Sequence, residues 1–132
     1  MIDSWRAWWD QALDDRETFR ILQHTSKHAA ACFFAQQAEE KAVKAVVTRE
    51  HGRPWGHSIL HLMRDLTSGP PLDAGRRLDF FSVPTRDPDA FPEGSASEHF
   101  TGDDVTRAEL AVEEVFEWVE RQLPVRDPGS NP

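Results

Sequence analysis

The sequence lacks the features of a secreted or membrane-spanning protein. No stretch approaches the roughly 20 consecutive apolar residues that a membrane helix needs, and the longest apolar-dense run extends only from Ala29 to Ala35. The first residues are acidic and amphipathic, so no secretory signal is expected. The single cysteine, Cys32, has no partner for an intramolecular disulfide, and its apolar neighbours predict a buried thiol. We therefore expect a protein of the reducing cytoplasm.

The sequence is also short of basic residues and of known enzyme motifs. Lysine and arginine number 15 against 23 aspartates and glutamates, which gives a net charge of −8. This charge argues against a broad nucleic-acid-binding face, although it leaves room for a local basic pocket or a basic partner. Tyrosine is absent, and no Gly-rich phosphate loop, serine elbow or Cys-x-x-Cys motif is present.

What remains is the composition of one globular domain. Hydrophobic residues make up 39% and charged residues 29% of the 132 positions, a balance that favours a packed core over disorder. We assign residues 1–123 to this domain and residues 124–132, which are rich in proline and glycine, to a flexible tail.

Hydrophobic spacing predicts an all-α fold. Trp5, Trp8 and Trp9 begin an amphipathic first helix that lies on a core. Strong helix formers from residue 29 to about residue 50 predict a second helix at the centre of a bundle. Short third and fourth helices are predicted after Ser58 and over residues 72–81. Residues 101–104 match an acidic capping box, which starts a last helix that runs to Leu123.

The second helix carries the first group of candidate ligand-binding residues. Gln37, Lys41 and Lys44 are spaced i, i+4 and i+7, so they share a helix face and could present an amide and two ammonium groups to a phosphate. The alternative is an ordinary solvated face with an ion pair between Glu40 and Lys44.

The loop before the last helix carries the second group. Three prolines interrupt residues 83–100 and exclude a continuous helix, so we expect a long ordered loop. Arg86 lies between two of these prolines, and a stiff segment holds its guanidinium ready for a phosphate or carboxylate. Glu98 and His99 come just before a helix N-terminus whose free amide groups suit an anion. The alternative is that Arg86 pairs with a nearby aspartate and only pins the loop.

Two histidines could suggest a metal site. His57 and His61 are four residues apart, a spacing that can hold a metal ion, but no third ligand and no His-Glu-x-x-His glutamate accompany them. We therefore expect no metal and no cofactor, with His61 exposed and His57 left as a candidate ligand-binding residue.

Three linked segments resemble the HEPN family, the nucleotide-binding domains of higher eukaryotes and prokaryotes. They are Ala-Cys-Phe-Phe-Ala-Gln-Gln-Ala-Glu-Glu-Lys-Ala-Val-Lys-Ala at 31–45, Gly-His-Ser-Ile at 56–59, and Phe-Ser-Val-Pro-Thr-Arg-Asp-Pro-Asp-Ala at 81–90. The resemblance implies an up-and-down bundle of four to five helices, commonly a homodimer. It also implies a frequent association with a minimal nucleotidyltransferase in a toxin–antitoxin-like pair.

The resemblance does not extend to the ribonuclease motif of many family members. Those enzymes use an arginine followed, after four to six residues, by a histidine. The nearest cases here are Arg53 with His57, which is too close, and Arg86 with His99, which is too distant. The expected function is therefore nucleotide or RNA binding through Gln37, Lys41, His57, Arg86, Glu98 and His99. The alternatives are a divergent metal-independent ribonuclease toxin and a non-catalytic protein-interaction module.

Overall fold

The all-α prediction is confirmed. The computed structural model describes residues 4–52, 63–64, 69–79 and 99–124. These residues form four helices and no strand: α1 Ser4–Leu22, α2 His28–His51, α3 Pro70–Asp79 and α4 Gly102–Gln122. The predicted start of a helix at Ser58, the loop at 83–98 and the tail beyond residue 124 lie outside the described residues. None of the described helices is both long and apolar enough to cross a bilayer.

Helices α1 and α2 form an antiparallel pair joined by a tight turn. The Thr25 hydroxyl donates to the carbonyl of Leu22 at 2.6 Å and accepts the backbone N–H of Lys27 at 3.1 Å. Trp5 and Trp9 are buried on the inner face of α1, as the helical spacing predicted. The turn reverses the chain, and α1 then packs against α2 over an extended contact.

Helix α2 is enclosed on nearly every side. Six of its alanines are buried, among them Ala35, Ala38 and Ala42, which have no exposed surface. Small side chains let neighbouring helices approach closely, and a helix that is apolar nearly all round belongs inside a bundle. Gly52 ends the helix in the left-handed conformation at φ 84° and donates its N–H to the carbonyl of Thr48. The prediction of a central second helix that stops at this glycine is confirmed.

Helix α3 spans Pro70–Asp79, so it begins two residues earlier than predicted. The predicted end at Phe81 lies outside the described residues. The early start is compatible with Pro70 and Pro71, because residues in the first turn of a helix need no backbone N–H donor. A side chain at Gly75 would place its Cβ 2.8 Å from the sulfur of buried Met63, so the glycine permits close packing there.

Helix α4 closes the bundle and runs antiparallel to α1. Phe116 lies 5.5 Å from the ring of Trp9, between ring centroids, and Gln23 donates to the Glu109 carboxylate at 2.9 Å. At its start, the Asp104 carboxylate accepts the backbone N–H of Thr101 at 2.9 Å. The predicted capping box is therefore confirmed.

The capping box generates a stability prediction. Burial by itself raises the pKa of Asp104, but hydrogen bonds from Thr101 and Arg107 outweigh it and lower the pKa overall. Asp104→Asn should lower the free energy of unfolding by about 1 kcal/mol at neutral pH. Because the folded-state pKa is depressed, this contribution is present above about pH 4 and disappears as pH falls through the folded-state pKa.

Urea denaturation at pH 7 and at pH 3 measures this difference. Asp103→Asn is the matched control, since this exposed neighbour lies in the same first helical turn. Equal losses from the two substitutions at pH 7 would contradict the capping role of Asp104.

Candidate functional site

The middle of α2 contains a group of buried and half-buried polar side chains. We call Gln36, Gln37, Glu39 and Lys41 the α2 polar cluster. Gln36 is 2% exposed and Glu39 is fully buried, while Gln37 is half-buried and donates its amide to the Gln36 side-chain oxygen at 2.7 Å. Burying amides and carboxylates is costly unless they are matched by specific contacts. The cluster is therefore a constrained site within a largely buried helix.

Lys41 is engaged by α1. Its ammonium group donates to one carboxylate oxygen of Asp15, and the Gln11 amide donates to the other oxygen at 3.1 Å. The Asp15 side chain is 6% exposed and that of Lys41 is 22% exposed. The positive charge predicted to face a ligand is thus already compensated inside the α1–α2 contact.

Lys44 lies one turn further along α2 and also reaches α1. Its ammonium group is 4.9 Å from the centre of the Trp8 ring, a distance at which a cation is attracted to an aromatic face. It also lies 3.9 Å from the Glu40 carboxylate. This is the ion pair that the solvated-face alternative predicted, although Lys44 is only about one-quarter exposed. Lys41 and Lys44 therefore share a face, as predicted, and both reach α1.

The described residues do not bring His99 to the α2 polar cluster. His99 is exposed and precedes Gly102, and a Cβ added at Gly102 would lie 3.9 Å from the His28 ring. The start of α4 is therefore level with the start of α2. Gln37 lies nine residues beyond His28, which is about 13 Å along the helix axis. His57, Arg86 and Glu98 lie outside the described residues.

Sequence reasoning missed the burial of Asp15, Gln36 and Glu39, which are three of the four buried polar residues in the described part of the chain. The signal for the two α2 residues was present, because Gln36 and Glu39 are interleaved with alanines in a helix predicted to be central. Asp15 is one of several acids in α1, and only its tertiary contact with Lys41 distinguishes it.

The described residues contain neither a reactive cysteine nor a cluster of metal-binding side chains. Burial, and then the Asp104 carboxylate, raise the pKa of the Cys32 thiol to about 12, while Arg107 acts in the opposite direction. A thiol with such a pKa remains protonated and is a poor nucleophile at neutral pH. Among the described residues, no three histidine, cysteine or acidic side chains are grouped closely enough to hold a metal ion.

A known protein family matches the part of the sequence that forms these helices. The model of the HEPN domain matches residues 5–122, which include all four described helices. The chain belongs to the HEPN family. The motif at residues 36–41 therefore forms the α2 polar cluster of a HEPN domain. No curated protein matches this sequence.

Three solved structures are similar to this HEPN chain. TT1696 from Thermus thermophilus has 33% identity and a TM-score of 0.85, covering 92% of this chain and 100% of that one. ST0689, an archaeal HEPN homologue, has 31% identity and a TM-score of 0.71, with 92% and 98% coverage. A HEPN domain protein from Thermotoga maritima, tm0613, has 27% identity and a TM-score of 0.69, with 90% and 98% coverage.

The contact between Asp15 and Lys41 generates the second prediction. Lys41→Met should lower the free energy of unfolding by about 3 kcal/mol, because it leaves a buried carboxylate without its cation. The double substitution Asp15→Leu/Lys41→Met should recover most of that loss, since an apolar pair replaces both charges. Denaturant unfolding of the single and double variants measures the coupling.

Arg49→Ala is the control for this measurement. Arg49 lies 3.8 Å from Glu50 in an exposed ion pair on the same helix, so its removal should change stability by no more than about 0.5 kcal/mol. A Lys41→Met loss as small as the Arg49→Ala loss would mean that solvent screens the Asp15–Lys41 pair.

Proposed function

We propose that this HEPN chain binds a nucleotide or RNA and acts with a minimal nucleotidyltransferase in a toxin–antitoxin-like pair. In this proposal it works as a homodimer in the cytoplasm. The observation that carries the proposal is the α2 polar cluster, which places amides and charged groups in the middle of an enclosed helix. The nucleotidyltransferase partner and the toxin–antitoxin-like role are proposed from membership of the HEPN family alone.

The proposed binding site combines the α2 polar cluster with residues that follow it in the chain. Gln37 is half-buried, and its side-chain oxygen can accept a hydrogen bond from a base or ribose while its amide bonds Gln36. Its position next to buried Gln36 limits its motion, which reduces the entropy lost on binding.

Arg86 supplies the main cationic group in this proposal. Lys41 shares its charge with Asp15, so it contributes less to phosphate binding than an uncompensated cation would. A guanidinium between two prolines is well suited to bidentate phosphate contact. His57 and Glu98 complete the proposed site as hydrogen-bonding groups around the ligand, whereas His99 lies just before α4, away from the α2 polar cluster.

A thermal-shift titration tests ligand binding. Adenosine triphosphate, a dinucleotide and a short single-stranded RNA are added separately to the purified protein. A ligand at ten times its dissociation constant should stabilise the native state by about 1.4 kcal/mol, which raises the melting temperature by several degrees. Arg86→Ala should abolish the shift, whereas Arg49→Ala, an exposed arginine at the end of α2, should retain it.

The outcomes of this titration distinguish the other functions. Cleavage of the RNA that is lost in Arg86→Ala and His57→Ala would overturn a purely binding role and indicate a divergent ribonuclease. The absence of a shift with all three ligands would contradict nucleotide binding and leave a protein-interaction module. Co-purification with the product of a neighbouring nucleotidyltransferase gene tests the proposed partner independently of the ligand.

A further inference from the structure

An open groove on α1 combines hydrophobic side chains with charges of both signs. Its lining consists of two hydrophobic residues, two arginines, a glutamate and a histidine: Leu13, Arg16, Glu17, Arg20, Ile21 and His24. Its volume is about 440 Å³, within the range of roughly 300–1,000 Å³ that is usual for ligand-binding clefts. We call this surface the α1 groove.

Three side chains of the α1 groove are open to an occupant. Ile21 is 63% exposed. Glu17 and Arg20 are also exposed, and neither makes an ion pair within the described residues. Arg16, by contrast, is engaged, because its guanidinium lies 4.5 Å from the centre of the Phe116 ring of α4. An occupant must therefore match an exposed hydrophobic side chain and two neighbouring charges of opposite sign.

The end of α4 brings the chain close to the Leu13 end of the groove. The Trp9 and Phe116 rings are 5.5 Å apart, so this part of α4 lies beside the first half of α1. Leu123 comes two helical turns after Phe116, about 10 Å further toward the start of antiparallel α1. Its φ of −105° and ψ of 146° are those of extended backbone, which a residue before proline favours. The chain therefore leaves α4 in an extended conformation beside α1.

The segment 125–132 is long enough to follow the groove. Leu13 and His24 delimit about 16 Å of helix α1, whereas eight residues of polyproline conformation span about 25 Å. Pro124 and Pro128 favour this conformation and reduce the entropy that is lost when the segment is ordered. Length and starting point thus both fit an occupant from the same chain.

We propose that residues 125–132 bind in the α1 groove of their own chain and run parallel to α1. In this direction Arg126 lies beside Glu17, and Asp127 lies beside Arg20. Neighbouring residues of the segment are about 3.8 Å apart, and Glu17 and Arg20 are separated by about 4.5 Å along the helix. Both ion pairs can therefore form together, whereas the opposite direction would place like charges side by side.

Hydrophobic contacts flank the two ion pairs in this arrangement. Val125 packs on Leu13, and Pro128 packs on the exposed side of Ile21. Val125 and Pro128 are about 9 Å apart in an extended segment, and Leu13 and Ile21 are about 12 Å apart along α1, a difference that side chains of this size span. The segment removes Ile21 from water, which favours binding.

The covalent link makes weak contacts sufficient. Exposed ion pairs contribute little individually, but a short tether gives the segment an effective concentration in the millimolar range. The composition of residues 124–132 predicts no core of their own, and the groove supplies the hydrophobic surface that the segment lacks. This inference does not depend on nucleotide binding or on the homodimer.

Nuclear magnetic resonance of the whole chain tests the inference. In the wild type, the backbone order parameter of Asp127 should exceed the value of about 0.6 below which backbone is flexible. Glu17→Arg should lower the ratio of bound to free segment by about fivefold, because it replaces an attraction with a repulsion. The shift of the Ile21 methyl signals measures this ratio. Arg126→Glu added to Glu17→Arg should restore the wild-type shift and order parameter.

Two exposed residues of α4 provide matched controls. Glu113→Arg reverses an acidic charge outside the α1 groove, so it should leave the Asp127 order parameter unchanged. Leu110 is 57% exposed, and Leu110→Ser should likewise have no effect, whereas Ile21→Ser should release the segment. Thermal melts establish that every variant is folded.

Each outcome decides the inference. An Asp127 order parameter below about 0.6 in the wild type would overturn binding of the segment. An ordered segment that is unaffected by Glu17→Arg and Ile21→Ser would overturn the α1 groove as its binding site. Failure of the double variant to recover would overturn the pairing of Arg126 with Glu17, and with it the parallel direction.

Discussion

The enclosure of α2 is the constraint on which the rest of the structure depends. A helix surrounded on nearly every side must carry small apolar residues where its neighbours approach, and the buried alanines of α2 meet this need. It must also match every polar group that it takes into the interior. The ion pair between Lys41 and Asp15 compensates the buried Asp15 carboxylate and joins α2 to α1.

This constraint explains why the candidate binding site differs from an ordinary charged helix face. Gln36 and Glu39 are buried, and Gln37 is held by Gln36. A polar group with so few accessible conformations is preorganised for a ligand, whereas a solvated side chain loses freedom on binding. Because the Lys41 charge is compensated by Asp15, the proposal gives the main cationic role in the site to Arg86.

The fold could be predicted largely from the sequence, whereas the site could not. The periodic tryptophans of α1, Gly52 at the end of α2 and the capping box at Thr101 are local signals, and each marks its element correctly. The start of α3 was misplaced because proline both ends a helix and is compatible with a first turn. The pairing of Asp15 with Lys41 joins residues 26 positions apart, and no local pattern encodes such a contact.

Mapping a nucleotide on the folded chain by nuclear magnetic resonance tests the central claim most directly. The side-chain amide signals of glutamine are resolved from the backbone, so Gln37 can report on a ligand at its own position. The account predicts that adenosine triphosphate or a short RNA perturbs the Gln37 amide and the middle of α2, while signals from Leu110 and Ile21 stay in place. Perturbations confined to residues away from α2, with Gln37 unchanged, would contradict a binding site at the α2 polar cluster.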